Sequence, residues 1–253
     1  MCVAAGRNGV AMRRGQSDHG EPFVGMGGVF LRRDRQPRTE VINDISGDVA
    51  NVFRILQRHF PQFMDTLRFQ IAGRREFERL MKTDPTTLTD LERAARFLYF
   101  QRLALGGKVA GRNFGVSKTT GARFNLVKLA STLEDIHERL AGVVIECLPW
   151  QDFIRRYDRP GMLFYLDPPY WGNEADFGAG VFGREDFERM ADVIDGLQGT
   201  FILSLNAVQG VYETFSRFAI EEVDCTYSID DGNGKGVKEV IISPANSLRV
   251  AAE

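Results

Sequence analysis

The 253-residue sequence predicts an α/β fold built on a mostly parallel sheet. The strongest indication is the apolar run Met162–Leu166, which Gly161 and Pro168 bound as they would bound a buried central strand. A second indication is that strand-like runs alternate with amphipathic stretches such as 49–60. A third is the turn Gly25-Met26-Gly27, because glycines let the backbone bend sharply and approach a ligand.

The N-terminal quarter predicts an arm followed by two strands. Residues 1–20 are glycine-rich and polar with little periodicity, which indicates a poorly ordered arm. Phe23-Val24 predicts a short strand, and the glycine turn and a helix follow to about residue 35. Val41-Ile42 predicts the next strand, and 49–60 predicts an amphipathic helix that Pro61 ends.

The middle of the chain is mostly helical in pattern. Residues 61–130 predict an insertion, with a clear helix over 87–105 that Thr89 can cap. A glycine-rich basic loop, 106–118, interrupts the helical pattern. Residues 21–60 and 131–253 together predict the main α/β domain around this insertion.

The C-terminal half returns to alternating elements. We expect helices over 131–140, 151–157 and 184–197, and strands over 143–147, 163–166 and 200–205. Segments 221–229 and 237–243 predict an antiparallel hairpin that completes the sheet. The glycines and Phe182 in the loop 171–183 suggest a segment that closes over a ligand.

Charge is distributed unevenly along a chain whose net charge is −2 and whose pI is about 6.0. From Arg54 to Arg123 the net charge is +8, whereas from Ser131 to Glu253 it is −12. A basic insertion in an otherwise acidic protein is typical of a nucleic-acid contact, although a solvated helical face would give the same count.

Cysteine and histidine spacing predicts no metal site. Cys2, Cys147 and Cys225 are far apart, and the three histidines have no ligand spacing. Sparse cysteines are typical of a reducing cytoplasm, and we expect a cytoplasmic protein without a membrane span.

The strand 162–166 leads directly into Asp167-Pro168-Pro169-Tyr170. A carboxylate can accept a hydrogen bond from an exocyclic amino group, the prolines stiffen the turn, and an aromatic ring can stack on a flat base. Such a site would make an amine more nucleophilic and position it for attack on an activated methyl group. Alone, the tetrapeptide could also be an ordinary turn that ends a strand.

The glycine turn differs from a dinucleotide fingerprint, because Phe30 stands where a third glycine would be needed. A cofactor without phosphates is therefore favoured. Asp44 follows the strand at Val41-Ile42, where an acid can accept both hydroxyls of a ribose. Asp44 could equally cap the helix that follows, and it could do both.

Three motifs, in their order along the chain, resemble those of the Dam-like DNA adenine-N6 methyltransferases. They are Glu21-Pro22-Phe23-Val24-Gly25-x-Gly27, then Asn43-Asp44 and, after a long middle segment, Asp167-Pro168-Pro169-Tyr170. The order of motifs is similar to that of their alpha group, which bacteriophages and prophages often carry. The resemblance covers roughly residues 20 to 243. It implies a Rossmann-like methyltransferase sheet with a helical target-recognition insertion at 61–130.

The resemblance also implies roles for individual residues. S-adenosyl-L-methionine would bind at a set of residues around the glycine turn: Glu21, Pro22, Phe23, Gly25, Gly27, Asp44 and Cys147. Asp167 and the Pro168 carbonyl would accept from the amino group of a flipped adenine, Pro169 would stiffen the turn, and Tyr170 would stack on the base. Double-stranded DNA would be the partner, and no metal would be needed.

Two departures from the family pattern stand out. Residues 1–20 contain no counterpart of the Gly-Gly-Lys or Gly-Ser-Lys segment that usually contacts the methionine part of the cofactor. Pro149 stands where the family tends to place an acid for the cofactor's adenine, and Asp152 is the nearest acid. Trp150 could flank that adenine, but a core position is favoured.

The basic loop and its surroundings supply the candidate DNA contacts. Arg112 and Lys118 suit phosphates, whereas Asn113 and Arg123 suit base edges. An ordinary connector is the alternative. The leading hypothesis is therefore a site-specific DNA adenine methyltransferase, monomeric, of bacterial or phage restriction-modification type. The alternatives are a methyltransferase for another amine, in RNA or on a protein glutamine, and a catalytically silent DNA-binding relic of a phage gene.

Overall fold

The computed structural model of the chain describes residues 17–33, 36–104, 114–115, 124–174, 180–227 and 235–245. These residues form two compact units. One comprises the described residues of Met1–Ile45 and Glu146–Glu253, and the other comprises those of Ser46–Ile145. The second unit includes the segment 61–130 that the sequence predicts as an insertion, and the bounds and role of that insertion stay a prediction.

The described part of the chain contains a seven-stranded sheet, all of which except residues 144–145 belongs to the first unit. Its strands are β1 (Asp18–Glu21), β2 (Thr39–Asn43), β3 (Val144–Glu146), β4 (Met162–Leu166), β5 (Thr200–Asn206), β6 (Ala219–Tyr227) and β7 (Lys235–Ser243). The order across the sheet is β3-β2-β1-β4-β5-β7-β6. Strands β2, β1, β4 and β5 are parallel, whereas β7 is antiparallel to β5 and to β6. The predicted mostly parallel α/β sheet with an antiparallel hairpin is confirmed.

Strand β1 lies earlier than predicted. The sequence favoured Phe23-Val24, but the strand runs from Asp18 to Glu21 and pairs with β2 and β4, so the predicted arm over 1–20 is wrong at its C-terminal end. Gly20 suits this place, because a Cβ there would lie 3.1 Å from the Phe164 ring. Strand β1 gave no apolar signal because most of its buried residues are polar.

Helices of the first unit cover the sheet. They are α6 (Trp150–Tyr157), α7 (Arg184–Asp195) and α8 (Gln209–Thr214), and α8 was not predicted. Phe153, Met190 and Val211 from the three helices join one apolar core with β4, β5 and β7. A 3-10 turn, Phe30–Arg32, stands where a longer helix was expected after the glycine turn.

The second unit consists of helices in its described part. They are α1 (Gly47–Arg58), α2 (Phe60–Arg68), α3 (Arg74–Lys82), α4 (Asp90–Leu103) and α5 (Leu126–Arg139), with a 3-10 turn at Pro85–Thr87. Thr89 caps α4 as predicted, in a reciprocal capping box with Glu92. Pro61 does not simply end the preceding helix. It occupies the first turn of α2, where its missing N–H costs no hydrogen bond.

Candidate active site

The carboxyl ends of β1, β2, β4 and β5 meet at one edge of the sheet. Strand β1 lies between β2 and β4, so the chain changes direction across the sheet at the β1–β4 boundary. A crevice at such a switch point is the usual ligand site of open parallel sheets. Glu21, Asp44 and Asp167 stand at or just after the ends of β1, β2 and β4.

The loop after β1 is a tight glycine turn held against the end of β2. Gly25 and Gly27 have positive φ angles of 52° and 73°, a region that residues with a Cβ rarely adopt. The Val24 N–H donates to the Asn43 carbonyl at 2.9 Å, and the Gly27 N–H donates to the Val24 carbonyl at 2.8 Å. The predicted turn is therefore present, with its glycines where the backbone requires them.

Asn43, the last residue of β2, binds two loops at this edge. Its side-chain amide donates to the carbonyls of Pro22 at 2.9 Å and Leu148 at 3.0 Å. Its Oδ1 accepts from the Leu148 N–H at 2.8 Å. A buried side chain with these bonds fixes the loops after β1 and β3 relative to β2.

Asp44 supports the glycine turn and does not cap the following helix. Its Oδ2 accepts from the Gly25 N–H at 3.0 Å. The N-cap of α1 is instead Ser46, whose side chain accepts from the Val49 N–H. Of the two roles that the sequence left open for Asp44, helix capping is therefore wrong. The carboxylate is nearly buried at the end of β2, where its orientation is fixed.

Cys147 follows β3 and contacts the same region. Its sulfur lies 3.7 Å from the Ile45 carbonyl oxygen. Desolvation and the nearby Asp44 carboxylate raise the pKa of the Cys147 thiol. The thiol is therefore protonated at neutral pH and is not a nucleophile.

Asp167 is the first residue after β4 and is held from β5. The Ser204 hydroxyl donates to its Oδ1 at 3.0 Å. The pKa of Asp167 is raised to about 6. Desolvation is the largest cause, the Ser204 hydrogen bond acts in the opposite direction, and the negative charge of Glu239 raises the pKa further. The carboxylate is thus ionised at neutral pH, yet it is close to the range where it can take up a proton.

The rest of the tetrapeptide is fixed by β5 and β7. Pro168 and Pro169 are buried, and the Tyr170 hydroxyl donates to Glu239 Oε1 at 2.6 Å. Asn206 binds both backbone groups of Trp171, with hydrogen bonds of 2.9 and 3.0 Å. The turn after β4 is therefore a rigid structure with partners on two neighbouring strands.

Aromatic residues pack against one another beside the loops at this edge of the sheet. Phe23 packs against Trp150 and Phe182, with ring centroids 6.3 and 6.1 Å apart. Trp150 is buried in the core, as the sequence favoured. Phe182 is also buried and packs on Phe187. The closure of its loop over a ligand stays a prediction, and Phe177 of the same loop lies outside the described residues.

The structure brings together most of the predicted site. The cofactor candidates cluster at the ends of β1, β2 and β3, and the four residues Asp167 to Tyr170 follow β4. The predicted DNA contacts Arg112, Asn113, Lys118 and Arg123 lie outside the described residues. Four site residues were not predicted in their roles: Asn43, Ser204, Asn206 and Glu239. The polar pattern Ser204-Leu205-Asn206 at the end of an apolar strand was the one available signal.

The described residues hold neither a cluster of metal-ligating side chains nor a membrane-spanning helix. Within those ranges, no three His, Cys, Asp or Glu side chains come together as a metal site. In the same part of the chain, no helix has the length and apolar character needed to span a bilayer.

The sheet order and the acid that follows β4 define a Rossmann-like methyltransferase, and sequence comparisons agree. A family model described as D12 class N6 adenine-specific DNA methyltransferase matches residues 14–229. The chain belongs to this family, and it is therefore an N6-adenine-specific DNA methyltransferase.

Individual relatives are distant but are matched over most of their length. The chain is 18% identical to the type II methyltransferase M.CviBI of Paramecium bursaria Chlorella virus NC1A, over 87% of this chain and 85% of that protein. It is 24% identical to the type II methyltransferase M1.LlaDCHI of Lactococcus lactis subsp. cremoris, over 88% and 84%. It is also 24% identical to the DNA adenine methylase of Escherichia coli K12, over 89% and 88%.

Proposed function

We propose that this enzyme transfers a methyl group from S-adenosyl-L-methionine to the N6 atom of an adenine flipped out of double-stranded DNA. The observation that carries the proposal is the position of Asp167. It stands at the switch point beside the glycine turn of β1 and is held by Ser204. An acceptor for an amino group thus lies at the same sheet edge as the candidate cofactor loop.

The residues at the ends of β1 and β2 suit this cofactor. A Cβ on Gly25 would meet no atom within 4 Å, so the turn faces open space that a ligand can enter. Glu21 and Asp44 place two carboxyl groups at that edge, which disfavours a phosphate but suits ribose hydroxyls and a cationic group. Pro22, Phe23, Gly27 and Cys147 complete the proposed lining.

S-adenosyl-L-methionine, when bound, supplies a methyl group on a positively charged sulfur that leaves as a neutral thioether. Asp167 accepts a hydrogen bond from the adenine amino group, as does the Pro168 carbonyl, which directs the nitrogen lone pair. Pro169 keeps the turn rigid, and Tyr170 stacks on the base. Because the pKa of Asp167 is about 6, this carboxylate can also take up the proton that the methylated nitrogen loses.

DNA is engaged in two ways in this proposal. Flipping the base costs a few kcal/mol of pairing and stacking, which contacts with the DNA backbone offset. The basic segment 54–123 supplies those contacts, with Arg112 and Lys118 on phosphates and Asn113 and Arg123 at base edges. The acidic remainder of the chain supplies the chemistry.

The biological setting follows from the substrate. We place the enzyme in the cytoplasm of a bacterium or of a phage-infected host, as a monomer that protects DNA from restriction. The two relatives named type II methyltransferases support that role. Genomic DNA from cells expressing the gene should resist a cognate endonuclease, and light scattering should give a mass near 28.4 kDa. Full cleavage by every adenine-sensitive endonuclease would contradict the protective role.

The first experiment incubates the protein with labelled S-adenosyl-L-methionine and DNA from a methylation-free host, and then identifies the labelled nucleosides. We expect label in N6-methyladenine. Asp167→Ala should lose at least 100-fold in transfer, because the acceptor for the amino group is gone, while cofactor affinity stays within a few-fold. Normal transfer by this variant would contradict the mechanism.

The same experiment separates the alternatives. Label in RNA or protein but not in DNA would indicate a different amine as acceptor. Cofactor binding without any transfer, or no cofactor binding at all, would favour a silent protein. Asp195→Asn is a matched control, because it changes an exposed carboxylate on α7 that contacts no residue of the site. It should behave as the wild type.

A further inference from the structure

Glu239 is a buried acid at the active edge that neither the glycine turn nor the Asp167–Tyr170 tetrapeptide includes. It lies in β7, opposite Asn206 of β5 and Val223 of β6, and is 1% exposed. Burial of a carboxyl group destabilises a fold unless hydrogen bonds satisfy its oxygens. An apolar residue at this position would pack against the same strands without the desolvation free energy of a carboxyl group. The presence of an acid here therefore indicates a role other than packing.

The contacts of Glu239 point to the catalytic turn. The Tyr170 hydroxyl donates to Oε1 at 2.6 Å, a short bond that spans 69 positions in sequence. One carboxylate oxygen of Glu239 therefore holds the aromatic ring that follows the prolines.

Glu239 also acts on the acceptor. Its charge raises the pKa of Asp167, in the same direction as desolvation and opposite to the Ser204 hydrogen bond. Tyr165 lies in β4, two positions before Asp167, and burial and the Asp167 charge raise the pKa of Tyr165. Glu239 of the hairpin therefore accepts a hydrogen bond from Tyr170, the last residue of the tetrapeptide, and raises the pKa of Asp167, the first.

We propose that Glu239 is a positioning residue for methyl transfer, which orients the Tyr170 ring for stacking on the target adenine. The inference rests on the proposed function and extends it to the antiparallel hairpin. A phenol ring moves about two torsions, and a hydrogen bond at its far end restrains the first, χ1, which sets where the ring lies. Without the bond, the ring is no longer held at one place beside the base.

A double-mutant cycle tests this role. Tyr170→Phe keeps the ring and removes the donor, whereas Glu239→Leu removes the acceptor. Each should lower kcat about 10-fold while cofactor affinity stays within two-fold. The double variant should also lose about 10-fold, and not about 100-fold, because both changes break the same bond. Multiplicative losses, or no loss for Tyr170→Phe, would overturn the proposal.

Glu239→Gln separates positioning from charge. Its amide oxygen can still accept from Tyr170, so it should recover most of the kcat lost in Glu239→Leu. The acid limb of its pH profile should move to lower pH, because a negative charge near Asp167 is gone. A residue with a purely structural role would leave the pH limb unchanged, and that outcome would contradict the inference.

The chain offers a matched control on the outer face of the hairpin. The Tyr212 hydroxyl donates to Glu222 Oε1 at 2.6 Å, the same kind of bond at the same length, but exposed and away from the site. Tyr212→Phe and Glu222→Leu should leave kcat and the pH profile unchanged. If they reproduce the effects at Tyr170 and Glu239, loss of hairpin stability explains both pairs and the proposal fails.

Failure of the proposed function gives a different signature. Absence of transfer by the wild-type enzyme would reject that function directly. The four proteins of the cycle would then be compared by quenching of 2-aminopurine deoxyriboside, a fluorescent adenine analogue that stacks on aromatic rings. We expect weaker quenching in all three variants, to a similar extent. Equal quenching in wild type and variants would overturn the role of Glu239.

Discussion

At the scale of single residues, the site depends on an acid whose proton affinity is set by its neighbours. Asp167 must be ionised to accept the hydrogen bonds of an amino group. Burial and the Glu239 charge bring its pKa to about 6, while Ser204 keeps the pKa from rising further. In the proposed mechanism, Asp167 is therefore in its active, ionised form at neutral pH, because its pKa lies about one unit below 7.

The pH dependence of kcat/KM should report the pKa of Asp167. We expect kcat/KM to fall about ten-fold per unit below pH 6, because the fraction of ionised Asp167 falls in that way. Ser204→Ala removes a hydrogen bond that lowers the pKa of Asp167, so the acid limb should move to higher pH.

Steady-state rates between pH 4.5 and 8.5 would measure the limb. Ser216→Ala, an exposed hydroxyl after α8, is the control and should leave the limb in place. A limb that moves to lower pH in Ser204→Ala would show that the hydroxyl does not stabilise the ionised form.

Residue roles could be predicted where local sequence carries them, and not where distant partners do. Asp167 and Tyr170 were recognisable because an apolar strand runs straight into them. Asn43, in contrast, acts through a loop 105 positions away, and Glu239 through a tyrosine 69 positions away. Each looks like an ordinary strand residue until the sheet order makes it a neighbour of the site.

At the scale of elements, the parallel strands are held in register by close backbone approach at their starts. Gly199 precedes β5, and a Cβ on it would lie 2.5 Å from the Met162 carbonyl oxygen. The Asp158 carboxylate accepts from the N–H groups of Gln198 and Gly199 at 3.0 and 2.9 Å. The turn before β5 is therefore fixed against the start of β4, and with it the position of Ser204.

Gly199→Ala should destabilise the protein by about 2 kcal/mol, because the clash is with backbone that cannot rotate away. The melting temperature should fall by roughly 4–8 °C. Gly47→Ala is the control, since its Cβ would meet no atom within 4 Å at the first turn of α1.

Thermal and urea unfolding of both variants would check the difference. Equal stability of the two variants would mean that the β4–β5 contact yields easily, and that Ser204 is not held by it.

Prediction of elements succeeded where burial leaves an apolar pattern. Strands β4 and β5, helices α4 and α7 and the β6–β7 hairpin were all expected within a few residues of their observed bounds. Strand β1 was misplaced, because Asp18, His19 and Glu21 are polar yet buried between two parallel neighbours. The six-residue helix α8 was missed because it is too short to show a period.

At the scale of the whole molecule, two functions are separated along the chain by charge. The net charge of −2 conceals a segment of +8 followed by one of −12. Affinity for DNA depends on cations that displace condensed counterions from phosphates, so the proposed function requires the basic segment to dominate binding despite the overall sign. The acidic remainder holds the sheet and the catalytic turn, where a cationic cofactor is the expected ligand.

This separation predicts how salt acts on each ligand. The logarithm of DNA affinity should fall linearly with the logarithm of salt concentration, with a slope near −0.9 for each phosphate contacted. Cofactor affinity should change little over the same range. Replacing Arg112 and Lys118 together by alanine should reduce the slope by about 2 and weaken binding equally on all sequences.

Fluorescence anisotropy on labelled duplexes from 50 to about 300 mM salt would give both slopes, a range over which phosphate contacts lose most of their strength. Arg155→Ala is the matched control, because that arginine is exposed on α6 and pairs with Asp152 in the acidic unit. It should leave the slope unchanged. If the slope of the Arg112 and Lys118 variant also stays at the wild-type value, the glycine-rich loop is a connector, and phosphate contacts must come from the arginines of the helices on either side of it.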